Sequence, residues 1–107
     1  MESYNAVEVL DTTLVIANKL AVLTTALSPT SQQLMTLLTC TDAITALALT
    51  ASSPNEARRN AESLSDCFVQ LIKVSAPTCT AQQLQEFKAC GEAIKTLANV
   101  VFQPEVL

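Results

Sequence analysis

Cys40, Cys67, Cys79 and Cys90 are the side chains of this sequence best equipped for chemistry. Thiols can pair as disulfides, ligate a metal as thiolates, or pack as small hydrophobes. The metal reading is poor, because there is no CxxC pair, no histidine and no spacing that resembles a zinc motif. Four cysteines leave three complete pairings, and the choice among them depends on where the secondary structure puts each sulfur.

Other chemistry is sparse. General acid–base catalysis most often uses histidine, and the chain has none. Asp42 and Glu92 sit two residues beyond Cys40 and Cys90, which turns them away from a core-facing stripe and makes them solvated surface groups rather than an acid–base pair. Gly91 is the only glycine, so no glycine-rich phosphate loop exists. The expectation is a non-enzyme with no catalytic residue, no metal and no cofactor.

The elements that position these residues come from an internal repeat. Residues 30–48 (TSQQLMTLLTCTDAITALA) and 80–98 (TAQQLQEFKACGEAIKTLA) match outright at nine positions, including Thr30/Thr80, Gln33/Gln83, Cys40/Cys90 and Ile44/Ile94. A fixed period points to repeated architecture. With a shift of two, the repeat continues upstream, aligning Ile16, Leu20, Leu23 and Pro29 with Leu64, Phe68, Leu71 and Pro77. Start and stop signals then divide the chain into helices over about 6–27, 31–50, 54–75 and 80–102. Asn5/Glu8, Thr30/Gln33, Ser53/Glu56 and Thr80/Gln83 have capping-box spacing. Ser28-Pro29, Ser52-Ser53-Pro54 and Ala76-Pro77-Thr78-Cys79 read as breaks, and Pro104 as the last stop. Short loops force neighbouring helices antiparallel. The expected fold is all-α: one domain over 1–107, an up-down-up-down antiparallel four-helix bundle built from two pseudo-repeated hairpins.

This arrangement ranks the cysteines by height. Cys40 and Cys67 are roughly equidistant from the turn at Ser53, and Cys67 and Cys90 from the turn at Thr78. Three thiols therefore share a mid-bundle layer, while Cys79 lies about 15 Å away along the axis at 1.5 Å rise per residue. Plain core packing and a single bridge, Cys67–Cys90 before Cys40–Cys67, are the readings for the layer. Cys79 reads as a free or intermolecular thiol. The helical spacing of Leu37, Cys40, Ile44, Leu47, Leu64, Phe68, Leu71, Phe87, Ile94 and Leu97 marks them as core, or as the lining of an apolar ligand site.

Charge narrows the partners. The 107 residues carry a net charge of −4, and their six basic residues are scattered, so a nucleic-acid partner is excluded. No integral membrane segment is expected, because SPTSQQ interrupts the charge-free run from Leu20 to Thr41. The acidic start MESYNAVEVLD does not read as a signal peptide. Low lysine, thirteen threonines and four cysteines nevertheless lean toward an extracellular setting, with a cytoplasmic one left open.

Between Leu20 and Asn55 the only charged residue is Asp42, and the first helix is apolar nearly all round. The expected function is therefore a non-enzymatic interaction module. It would form a homo-oligomer or dock a protein partner through helices 1 and 2, with Leu14, Ile16, Leu20, Val22 and Leu23 as the candidate interface. The alternative is a carrier of an apolar small molecule, such as a fatty acid, held between the hairpins.

Overall fold

A computed structural model describes residues 4–27 and 30–102; the stop signals at Ser28-Pro29 and Pro104 lie outside the described residues. Four helices follow one another: α1 (Ala6–Ala26), α2 (Ser31–Leu49), α3 (Pro54–Ser75) and α4 (Ala81–Val101). A single 3-10 turn, Ala76–Thr78, lies between α3 and α4, and no strand occurs among the described residues. The molecule is a short rod of 47 × 22 × 19 Å.

Local chemistry sets the helix starts. Asn5 Oδ1 accepts the amides of Val7 and Glu8 at 3.0 and 3.1 Å, satisfying two otherwise unpaired donors of the first turn. Thr30/Gln33 and Thr80/Gln83 form full capping boxes, with both reciprocal bonds in place. The box expected at Asn5 is half-formed, with the Asn5 cap bonds but no return bond to Glu8, and the box expected at Ser53 does not form. Ser53 is the N-cap residue and Pro54 opens α3, but the Ser53 side chain makes no cap bond. Its backbone N–H already donates to the Thr50 carbonyl at 2.9 Å, so Glu56 has no cap amide to accept.

The two box glutamines reach further than their own helices. Gln33 Nε2 donates to Ser75 Oγ at 3.0 Å, joining the start of α2 to the end of α3. Gln83 Nε2 donates to the Ala26 carbonyl at 2.9 Å, joining the start of α4 to the end of α1. At the opposite ends, Tyr4 donates its hydroxyl to the Ala51 carbonyl, and Arg58 Nε donates to the Val101 carbonyl at 2.7 Å. α2 packs most extensively on α3, and α1 on α4; the contacts of α1 with α2 and of α3 with α4 are looser.

Each helix buries one stripe whose main row has alternating steps of four and three, widened by Ala43 on α2 and by Ala93 and Val100 on α4. α1 buries Val9, Thr13, Ile16, Leu20 and Leu23, followed by Leu27 just past its end. α2 buries Gln33, Leu37, Cys40, Ile44 and Leu47, followed by Ala51. α3 contributes Ala57, Ala61, Leu64, Phe68, Leu71 and Ser75, and α4 contributes Phe87, Cys90, Ile94, Leu97 and Val101. Such spacing keeps one face of a 3.6-residue helix turned inward. Thr13 is tolerated inside because its hydroxyl donates to the Val9 carbonyl at 2.7 Å. No buried side-chain nitrogen or oxygen among the described residues lacks a partner.

Gln33 is almost fully buried and Gln83 is half-buried, so their interhelix bonds differ in consequence. Gln33→Ala leaves Ser75 Oγ buried without that donor and is expected to cost about 1–3 kcal/mol. Gln83→Ala exposes its partner carbonyl to water and is expected to cost about 1 kcal/mol or less. Urea denaturation of both variants checks the order; an equal loss would contradict it.

Candidate functional site

Three features could carry function: the thiols, a groove between α3 and α4, and an uncovered apolar face on α1 and α2. All four cysteines are free thiols. The Cys67–Cys90 bridge weighed from the sequence is therefore not formed. Cys40 is fully buried in α2 and has both Cys67 and Cys90 close enough to act on it electrostatically. Burial, reinforced by those two thiols, pushes the Cys40 thiol up to about 12. Burial also raises Cys90 to about 11, against the opposing pull of the Lys19 ammonium. Cys67 is half-buried and is raised by desolvation and then by the Asp66 carboxylate, with Cys40 pulling the other way. These thiols are held as neutral hydrophobes, the opposite of the lowered pKa that marks a reactive cysteine. Among the described residues, no group of three or more His, Cys, Asp or Glu side chains could hold a metal ion.

Cys79 stands apart from the layer, half-buried at one end of the α3–α4 groove. This open cleft has a volume of about 530 Å3. Phe68 and Phe87 form its floor, with ring centroids 6.0 Å apart and planes tilted by 51°. Ile72 and Leu84 form apolar walls, and Lys88, Glu92 and Lys95 line the α4 side. Gly91 opens the floor: a Cβ built there would meet Phe68 Cε2 at 3.5 Å, an ordinary contact. The cleft lies between α3 and α4, whereas the sequence-based expectation put a ligand between the two hairpins.

The ten residues expected as core or ligand lining are all buried in the single hydrophobic core, and only Phe68 and Phe87 also reach the groove. The candidate interface residues divide. Leu14 and Val22 are exposed on α1, while Ile16, Leu20 and Leu23 face the chain's own core and are unavailable to a partner. Asp42 and Glu92 are exposed.

Residue spacing alone missed the composition of the outer face. Nine of the thirteen exposed large hydrophobic side chains among the described residues lie on α1 and α2. On α2 they include Leu34, Met35 at 70% exposure, Leu38 and Leu49 at 80%. On α1 they are Val7 at 68%, Leu10, Leu14, Val15 and Val22. The threonines between them add little polarity. Thr36, Thr39, Thr41 and Thr45 each donate the hydroxyl to the carbonyl four residues earlier, at 2.9–3.0 Å. Those hydroxyl protons are already used within the helix. The available signal was the second 3–4 row on α2: Met35, Leu38, Asp42, Thr45 and Leu49.

Two measurements follow from these environments. The raised Cys40 and Cys90 values mean that the folded chain retains protons which the unfolded chain begins to lose near the ordinary value of 9.0. Their contribution to stability is whole below about pH 9 and declines as pH rises toward 11–12, by up to about 1.4 kcal/mol per pH unit per thiol. Denaturation midpoints from pH 8 to 11 should fall less steeply in a Cys40→Ala/Cys90→Ala double variant; identical slopes would contradict the assignment. Gly91→Ala should stabilise the protein by about 0.5–1 kcal/mol, because the helix gains propensity and the methyl group has room. A loss of stability on thermal melting would show that the floor is closed.

No protein-family model, curated protein or solved structure matches this chain, so a functional reading rests on its own residues.

Proposed function

We propose that the chain is a non-enzymatic helical interaction module that self-associates, or docks a protein partner, through the charge-poor α1–α2 face. The observation that carries this reading is the concentration of exposed large hydrophobic side chains on those two helices. Scattered surface leucines are normal in any protein, but nine large apolar side chains exposed on two helices exceed that background and favour a contact surface. The only charge on α2 is Asp42, and the hydroxyls that dilute the patch are bonded to their own helix.

The scale is adequate. α1 and α2 have 21 and 19 residues, giving a face about 30 Å long. Two helices, each about 10 Å across with its side chains, present on the order of 600 Å2 in projection, close to the roughly 800 Å2 per partner of a standard interface.

The proposal includes the architecture behind the face: an up-down-up-down antiparallel bundle of two related hairpins. Buried positions support it, because the α1 stripe matches the α3 stripe one for one at an offset of 48. From Leu37 onward, the α2 stripe matches that of α4 at an offset of 50. The glutamine bonds also support it, since Gln33 and Gln83 occupy equivalent repeat positions and each ties its helix to the end of a helix in the other hairpin.

Sedimentation equilibrium between about 1 and 100 µM tests self-association. The wild-type chain is expected to dimerise in that range. Leu38→Lys is expected to weaken the dimer at least about ten-fold, because a buried ammonium costs more than the 1.4 kcal/mol which that factor represents. A wild-type chain that stays monomeric throughout contradicts self-association.

A further inference from the structure

We propose that the α3–α4 groove is a binding site for a free long-chain carboxylate, with the alkyl chain on the Phe68/Phe87 floor and the head at Lys95. The proposal is independent of the α1–α2 face. Its size fits: about 530 Å3 lies within the range of small-molecule sites. Its length fits too. Leu84 to Lys95 spans eleven residues of α4, about 16 Å at 1.5 Å per residue, which accommodates roughly ten to twelve extended carbons.

Polarity fixes the orientation. The end near Cys79 and Leu84 is apolar, so it takes the methyl terminus. Lys88 and Lys95 lie seven residues apart on the same side of α4, and the groove presents no other cations. The Lys88 stem lines the apolar middle while its ammonium remains in water. Lys95 stands at the far end, where a carboxylate would emerge. Glu92 lies between the lysines, but it also lines a second cleft against α1, shared with Lys19. Its side chain borders both clefts, and Lys95 is the cation beyond it at the open end of the groove.

The repeat sharpens the argument. At the matching positions of α2, Lys88, Gly91 and Lys95 are Leu38, Thr41 and Thr45. These departures give the second hairpin two cations and an open floor. Packing does not require Gly91, because a methyl group would fit against Phe68, and its bare backbone leaves that part of the groove open.

Isothermal titration calorimetry with decanoate, dodecanoate and tetradecanoate, each below its micellisation concentration, tests the proposal. Dodecanol and dodecyltrimethylammonium serve as head-group controls. Affinity should rise roughly four-fold per methylene, the equivalent of about 0.8 kcal/mol, and level off near twelve carbons. Dodecanoate should bind more tightly than the cationic chain. Lys95→Gln should weaken dodecanoate several-fold and leave dodecanol unchanged. Gly91→Leu, which fills the floor, should abolish binding. Leu84→Asp, at a position already 60% exposed and so compatible with folding, should weaken dodecanoate at least ten-fold. Any of three outcomes overturns the site: no saturable binding of any carboxylate, equal affinity for the cationic chain, or binding that persists unchanged in both Gly91→Leu and Leu84→Asp.

Discussion

Each helix of this protein buries one inward-facing stripe, and the rest of the structure depends on that limit. In α3 and α4 the residues left outside are mostly charged or amide-bearing, so the limit is harmless. In α1 and α2 they include nine large apolar side chains beside threonines and alanines, with Glu8, Asp11, Lys19 and Asp42 as the exposed charges. The inner rows of all four helices are buried, and the contrast between the helices lies on the outside. A chain that spends so many large apolar residues on water-facing positions gains nothing from them as a monomer, since exposed apolar area contributes no burial energy. This mismatch between the core the helices need and the apolar surface they carry is the physical basis of the proposed interaction role.

Polar groups are settled locally, which leaves the helix faces free to differ. Threonine hydroxyls bond to their own helix, and the box glutamines use one end of the amide for the cap and the other to tie a neighbouring helix. A buried amide that satisfies both ends stabilises the helix ends without needing a charge. The thiols follow the same logic. Raised by burial, they remain protonated and act as small core side chains. Three cysteines near one another are thus compatible with a core free of disulfides and metal.

Much of the helical framework is legible in the sequence because its determinants are local. Thr30/Gln33 and Thr80/Gln83 declare caps by identity and spacing, and both boxes form. Counting residues from the turns brings Cys40, Cys67 and Cys90 to one height, and Cys40 does have the other two as neighbours. Ser53 shows where local spacing fails: the turn from Thr50 takes up its amide, a bond that a four-residue pattern does not contain. The division of α1 is likewise not legible. With apolar residues on all sides, Ile16 and Leu14 look alike, and only the neighbouring helices decide that the first is core and the second is surface. The groove is hidden for a related reason. Lys88, Gly91 and Lys95 do not stand out in the sequence, and only the looser α3–α4 packing brings them to the edge of one cleft.

The central claim is that the outer rows of α1 and α2 meet another copy of this chain. Isotope-filtered nuclear Overhauser spectra on a mixture of labelled and unlabelled protein observe that contact directly. The account predicts intermolecular cross-peaks from the methyl groups of Leu14, Val22, Leu34, Leu38 and Leu49. Intermolecular contacts confined to α3 and α4, or none at concentrations of hundreds of micromolar, would contradict it.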